Sequence, residues 1–156
     1  MPGPSDGPSD EGPNTGLLMY VAYREMDARV LDALNAAGFE VTLAQAKVFQ
    51  RIGAEGSRLT DLAEQARVTK QTAGFLVDQL EQAGYVERRR DPRDARARLV
   101  CIAPRGAEAV EVAAEVVAQV EAEWTAHLGI RDMQHLRRTL VKLREITDPY
   151  AAPRAE

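Results

Sequence analysis

The sequence predicts a mainly α fold, a winged helix-turn-helix set between N- and C-terminal dimerisation helices, and three observations lead there. Aromatic residues make up only 5% of the 156-residue chain while alanine and valine abound. That composition favours helices packed through small aliphatic side chains over a β-sandwich. Two short amphipathic segments, 59–66 and 69–83, are separated by a three-residue turn, and a basic stretch, 85–103, then reads as two strands around a tight loop.

Taken in order, residues 17 to about 37 place Leu17, Val21, Ala28 and Leu31 near one helical stripe, with Met19, Tyr23, Met26 and Val30 on an adjoining one. This first helix has more apolar surface than one neighbour can cover. Gly38 stops it, and Thr42 caps a second helix whose Leu43, Ala46, Val48, Phe49 and Ile52 carry it to the glycines at 53 and 56. The third helix is 59–66. Arg67-Val68-Thr69 turns the chain, and Thr69 caps a fourth helix running to Ala83 with Ala73, Leu76, Val77 and Leu80 inward and Gly84 as terminator. A two- or three-stranded β-wing follows, with strands at 85–90 and 98–103 flanking the turn-prone Asp91-Pro92-Arg93-Asp94.

Pro104 suits the first turn of a long fifth helix reaching about Leu128, where Val110, Ala114, Val117, Trp124 and Leu128 share a stripe. Gly129 breaks it. A sixth helix from about 131 to 147 presents Met133, Leu136, Leu140, Leu143 and Ile146 before Pro149 ends helical geometry. The chain therefore divides into a disordered tail (1–13), a single structured unit (15–147) and a flexible tail (148–156). Within the unit, 15–37 and 104–147 are the dimerisation helices and 42–103 is the winged region. The surplus apolar surface on the terminal helices calls for a second copy of the chain, because monomers seldom leave so large a patch uncovered.

A single cysteine, Cys101, leaves no internal disulfide to form, and no apolar run approaches the roughly 20 residues that cross a bilayer. With no signal-peptide pattern after Met1, the expected location is a reducing cytoplasm. Net charge is −4, which by itself argues against a nucleic-acid partner. The charge is unevenly spread, however. Residues 86–98 hold six arginines (88, 89, 90, 93, 96 and 98) against Glu87, Asp91 and Asp94, a balance of +3 that leaves −7 for the rest.

A helix-turn-helix followed directly by a basic hairpin has a plain physical use. The second helix fits the major groove of double-stranded DNA while arginines of the hairpin reach the flanking backbone or minor groove. On the fourth helix, Gln71, Phe75 and Asp78 lie opposite the inward face, flanked by Lys70, Thr72 and Gly74. Gln71 can pair with adenine, Lys70 with guanine or phosphate, Thr72 with phosphate, and Phe75 can touch a thymine methyl. The alternative for the same residues is a solvated Lys70 and Gln71 with Phe75 packed under the wing. Asp94, two residues before Arg96, can brace that guanidinium and reduce the rotamer freedom it would lose on binding.

These residues resemble the MarR family of regulators. The resemblance rests on Leu62-Ala63, on the 69–84 helix ending Leu80-Glu81-Gln82-Ala83-Gly84-Tyr85-Val86, and on Asp91-Pro92-Arg93-Asp94-Ala95-Arg96, which is similar to the family's Asp-Pro-x-Asp-x-Arg wing signature. It spans about residues 15 to 147. It implies a homodimer whose first, fifth and sixth helices interlock while the two winged regions address successive major grooves of a pseudo-palindromic operator, with Arg96 in the minor groove and Asp94 bracing it. The implied DNA-binding set is Thr69, Lys70, Gln71, Thr72, Phe75, Arg88, Arg89, Arg90, Arg93, Asp94, Arg96 and Arg98. Repression is the family's commoner mode. Ala103 departs from the threonine that usually caps the long helix, and Gly74-Phe75 from a frequent polar or basic pair, so a DNA sequence preference does not carry over.

Members of the family commonly bind a small aromatic or phenolic ligand between the dimerisation helices and the winged region. Tyr20, Tyr23, Trp124 and His127 are the residues here that can line such a cleft, although aromatics at helical spacing are core residues more often than ligand contacts. Cys101 lies in a wing strand, away from the first helix where the family's peroxide sensors carry their thiol. His127 and His135 stand eight residues apart with no compact metal-ligand spacing, so no metal or cofactor is expected. No nucleophile beside a base, phosphate-cradling glycine loop or paired carboxylates marks an enzyme. The rival function is a winged-helix module that binds another protein rather than DNA, which the acidic remainder and Phe75 make conceivable.

Overall fold

The computed structural model describes residues 12–151, so the expected tails at 1–13 and 148–156 lie for the most part outside the described residues. The order is α1 (Thr15–Ala36), α2 (Leu43–Phe49), α3 (Leu59–Ala66), α4 (Lys70–Gln82), β1 (Val86–Asp91), β2 (Asp94–Ile102), α5 (Pro104–Leu128) and α6 (Ile130–Thr147). Local chemistry sets most of the boundaries. The Asn14 side chain accepts the Leu17 amide at 2.9 Å to start α1, and Thr42 with Gln45 forms a reciprocal capping box on α2. The Thr69 hydroxyl accepts the Thr72 amide at 3.1 Å and caps α4. Ala103 opens α5 with no side-chain cap, leaving Pro104 to set the first turn.

Two expectations are corrected. The second helix ends at Phe49 rather than near Ile52, because the Arg51 and Ile52 amides bond the carbonyls of Val48 and Phe49, only three residues back. Ile52 is still buried. The second wing strand begins at Asp94 rather than at 98: the alternating Asp94-Ala95-Arg96-Ala97-Arg98 contains no breaker, so Pro92-Arg93 alone makes the turn. The strands pair antiparallel from Val86 with Ile102 to Asp91 with Asp94, with a register shift between Arg90 and Asp91. A third strand is reduced to one bridge, Ser57 with Val100.

The core lies inside the winged region, where Val48, Ile52, Leu62, Leu76, Val77, Leu80, Tyr85, Val86 and Val100 form one buried cluster. Two glycines permit close approach at its edges. Gly56 has a positive φ of 86°, and a Cβ there would meet Cys101 Sγ at 2.6 Å. A Cβ on Gly106 would overlap the Tyr85 carbonyl oxygen, so the start of α5 is pressed against the base of the wing.

Outside this unit, α1 packs along α5, joined by a two-pronged Arg29–Glu123 ion pair at 2.5 and 2.8 Å. Helix α6 has no buried residue. Its end is nevertheless tied to the winged region. Asp148 accepts Arg51 and Arg144 at 2.9 Å each, and the Tyr150 hydroxyl donates to Glu64, which pushes the phenol's pKa up to about 12. Among the described residues, no helix is long and apolar enough to cross a membrane.

Candidate nucleic-acid interface

Helix α4 buries Ala73, Leu76, Val77 and Leu80 and turns its opposite side outward. Lys70, Gln71, Thr72, Phe75 and Asp78 are all exposed there, as the spacing predicts. Phe75 is 62% exposed, so it stands on the outer face of α4 rather than packing under the wing. Thr69 is occupied as the cap of α4, and its hydroxyl also meets that of Thr72 at 2.9 Å.

The wing's arginines sort into two groups. Arg88 is turned back onto α4, donating to Asp78 at 2.6 Å and to Glu81, and its backbone amide also bonds Glu81. It thereby locks the hairpin to α4 and neutralises two acids beside the face that carries Gln71 and Phe75. Arg89 pairs with Glu87 on its own strand. Arg90, Arg96 and Arg98 are exposed, and their guanidinium groups make no ion pair among the described residues. Arg93, at the turn, keeps 83% of its side chain exposed while its Nε lies 3.6 Å from Asp91.

The turn is held from beneath by a group the sequence reading treated only as turn-forming and as part of the wing signature. Asp91 is 2% exposed, accepts the Arg93 amide at 2.9 Å, and accepts the Arg58 guanidinium at 2.8 and 3.2 Å. The Arg93 amide first, and the Arg58 guanidinium second, hold its carboxyl below the ordinary carboxylate range. Arg58 is the residue just before α3, so this pair clamps the wing tip to the first helix of the helix-turn-helix. Asp94 also differs from its expected geometry. Its carboxylate accepts the backbone amide of Arg96 at 3.1 Å and stands 3.6 Å from Arg58, so it fixes the backbone at Arg96 rather than the guanidinium. The short aspartate side chain reaches the amide two residues on before it reaches the end of an arginine.

Between the winged region and the long helices lies a cavity of about 620 Å³, walled by α1, α2 and α5 and floored by Leu80, Tyr85 and Ile102. Of the four residues expected to line a ligand cleft, Tyr23 alone does so. Tyr20, Trp124 and His127 lie outside it, because a helical stripe shows which residues share a face but not which neighbour that face meets. The sequence reading missed Asp27, one turn beyond Tyr23 on α1, and the wall formed by Phe49 of α2 and the adjoining Gln50. Cys101 is half-buried against Gly56, and no group of three or more histidine, cysteine or acidic side chains among the described residues is placed to hold a metal.

The MarR family model matches residues 41–97, from just before α2 into the wing. Structural likeness reaches further. The chain is similar to apo MarR from E. coli (27% identity, 85% of this chain and 98% of that one, TM-score 0.66). It is likewise similar to the Mycobacterium tuberculosis MarR family protein Rv2887 in complex with salicylic acid (26%, 85% and 98%, TM-score 0.62). The transcriptional regulator Tm0710 from Thermotoga maritima covers 85% of this chain and 92% of its own length at 26% identity and TM-score 0.60. No curated protein matches the chain.

Proposed function

We infer that the chain is a MarR-family winged-helix regulator of transcription, and propose from that premise that it binds double-stranded DNA as a homodimer, as a repressor released by a small aromatic or phenolic ligand. The observation that carries this reading is the pairing, around one core, of an exposed α4 face with a wing whose outward arginines stand beside a buried carboxylate, Asp91, clamped by Arg58. Helix α4 would enter the major groove with Lys70, Gln71 and Phe75 toward base edges. Arg96, Arg90, Arg93 and Arg98 would address the minor groove and backbone, with Arg88 serving the joint between wing and helix. Pre-ordering of the Arg96 backbone by Asp94 lowers the entropy lost when that side chain is fixed in a narrow groove.

Dimerisation is supported by apolar side chains left open on α1 and α6, Leu17, Leu18, Ile130, Leu140 and Ile146 among them. Ligand release is supported by the cavity at the junction of the winged region and the long helices, and by the relative that binds salicylic acid.

Selection of bound sequences from random duplex DNA, followed by titration at several salt concentrations, tests the reading. A two-fold-symmetric motif with half-sites about one helical turn apart and a steep salt slope is the expected result. Arg96→Ala should weaken that complex by about 1–3 kcal/mol. Absence of any enriched motif, or equal affinity of folded Arg96→Ala protein, would count against the DNA reading or the minor-groove role respectively. A salt-insensitive protein partner would favour an interaction module instead.

A further inference from the structure

We propose that the cavity between α1, α2 and α5 selects an organic cation with an aromatic body and rejects carboxylates, an inference that rests on the reading of this cavity as the ligand site. The charged side chains in its lining are Asp27 and Glu121, and no lysine, arginine or histidine lines it. Most of the remaining wall is aliphatic or aromatic, with Tyr23, Phe49 and Tyr85 contributing rings.

Asp27 carries the argument. It is half-buried and makes no hydrogen bond or ion pair among the described residues. Arg24, one helical turn earlier, lies 5.9 Å from the Tyr20 ring instead. Glu121 has one distant partner, the largely exposed Arg137 at 3.8 Å. Two further arginines of the elements around the cavity are committed elsewhere: Arg29 to Glu123, and Arg105 to the rings of Phe39 and Tyr85 and the Gly38 carbonyl. An incoming carboxylate would therefore lose water and face two like charges with no compensating donor of positive charge. An ammonium group would gain a carboxylate already partly desolvated, and ring faces at Tyr23 or Phe49 would add cation–π attraction. The volume of about 620 Å³ accommodates a fused-ring amine. Gln50 and Tyr23, bonded to each other at 3.3 Å, leave polar atoms at the rim for a second contact. Salicylic acid, the ligand of a similar protein, is by this reasoning a poor ligand here.

Three probes with one aromatic body separate charge from shape: naphthylmethylammonium, naphthylmethanol and naphthoate, titrated calorimetrically into the full-length protein at neutral pH. The ammonium is expected to bind roughly tenfold more tightly than the alcohol, the reach of one partly desolvated charge pair, with the carboxylate weakest. Asp27→Asn should bring the ammonium down to the alcohol's affinity while leaving the alcohol unchanged, which also shows that the variant folds. If the alcohol binds but the ammonium is no tighter, or if Asp27→Asn leaves the preference intact, the charge proposal is overturned and the cavity stands as a ligand site. If none of the three binds, the ligand-site reading falls with it. Operator binding measured on the same preparation reports separately on the DNA reading.

Discussion

The winged region buries Leu62, Val77, Leu80, Val86 and Val100 almost completely, whereas α1 buries only Leu34 and α6 buries nothing, leaving Ile146 84% exposed. Both regions are rich in apolar residues at helical spacing. The difference is therefore one of partners rather than composition. The winged region meets its own partners within about 60 residues of chain and closes a core. The terminal helices present apolar faces for which the described residues of one chain hold no cover, which is the condition that a two-fold partner relieves.

The sharpest way to break this comparison is to cut into the closed core. Leu62→Ala removes a fully buried side chain and should cost about 3 kcal/mol of stability, lost equally at every protein concentration and read from the urea midpoint. A cost below about 1 kcal/mol would show that the winged region is looser than its burial implies.

The same contrast explains what the sequence disclosed. Helix starts at Thr42 and Thr69 and stops at Gly38, Gly84 and Gly129 were legible because a cap is chemistry between residues a few positions apart. The outward set on α4 followed from period alone. The Arg58–Asp91 clamp was not legible, since its members are 33 residues apart and each reads locally as an ordinary surface charge. The pairing of Arg88 was hidden for a related reason: a run of arginines shows positive charge, but only packing shows that this one meets Asp78 and Glu81. The cavity was the least legible, because Asp27 and Gln50 matter there only through the way α1 and α2 face α5.

A smaller effect should appear on the open side. Leu136→Ser combined with Leu140→Ser changes two partly exposed α6 residues and should leave the winged core intact. Association is expected to weaken by about 2 kcal/mol, roughly thirtyfold in the dimer dissociation constant by sedimentation equilibrium. Here, unlike Leu62→Ala, the defect should be concentration-dependent. A wild-type protein that sediments as a monomer at micromolar concentration would remove the stated reason for the open faces.

The smallest effect belongs to the wing tip, which is part of the winged region but lies at its edge and rests on one buried carboxylate. Because the native Asp91 pKa lies below the ordinary value, the clamp's contribution is present in full above the ordinary carboxylate range and is lost as pH falls from there through the native value. Deprotonated Asp91 accepts both the Arg93 amide and the Arg58 guanidinium. Protonation weakens the second bond more, since it removes the opposite charge. Acidification should therefore lower the protection of the Arg93 and Arg96 amides, measured as exchange relative to the intrinsic rate at each pH, before the core amides of α4 respond. Asp91→Ala should reproduce that exchange at neutral pH, while Asp91→Asn, which keeps an acceptor for the Arg93 amide, should fall between the two. The bridge between Ser57 and Val100 continues to hold the base of the hairpin, so the loosening stays confined to the tip. Unchanged exchange at Arg93 in Asp91→Ala would mean that the turn is ordered by Pro92 and strand pairing alone, and that the buried carboxylate is incidental to the position of Arg96.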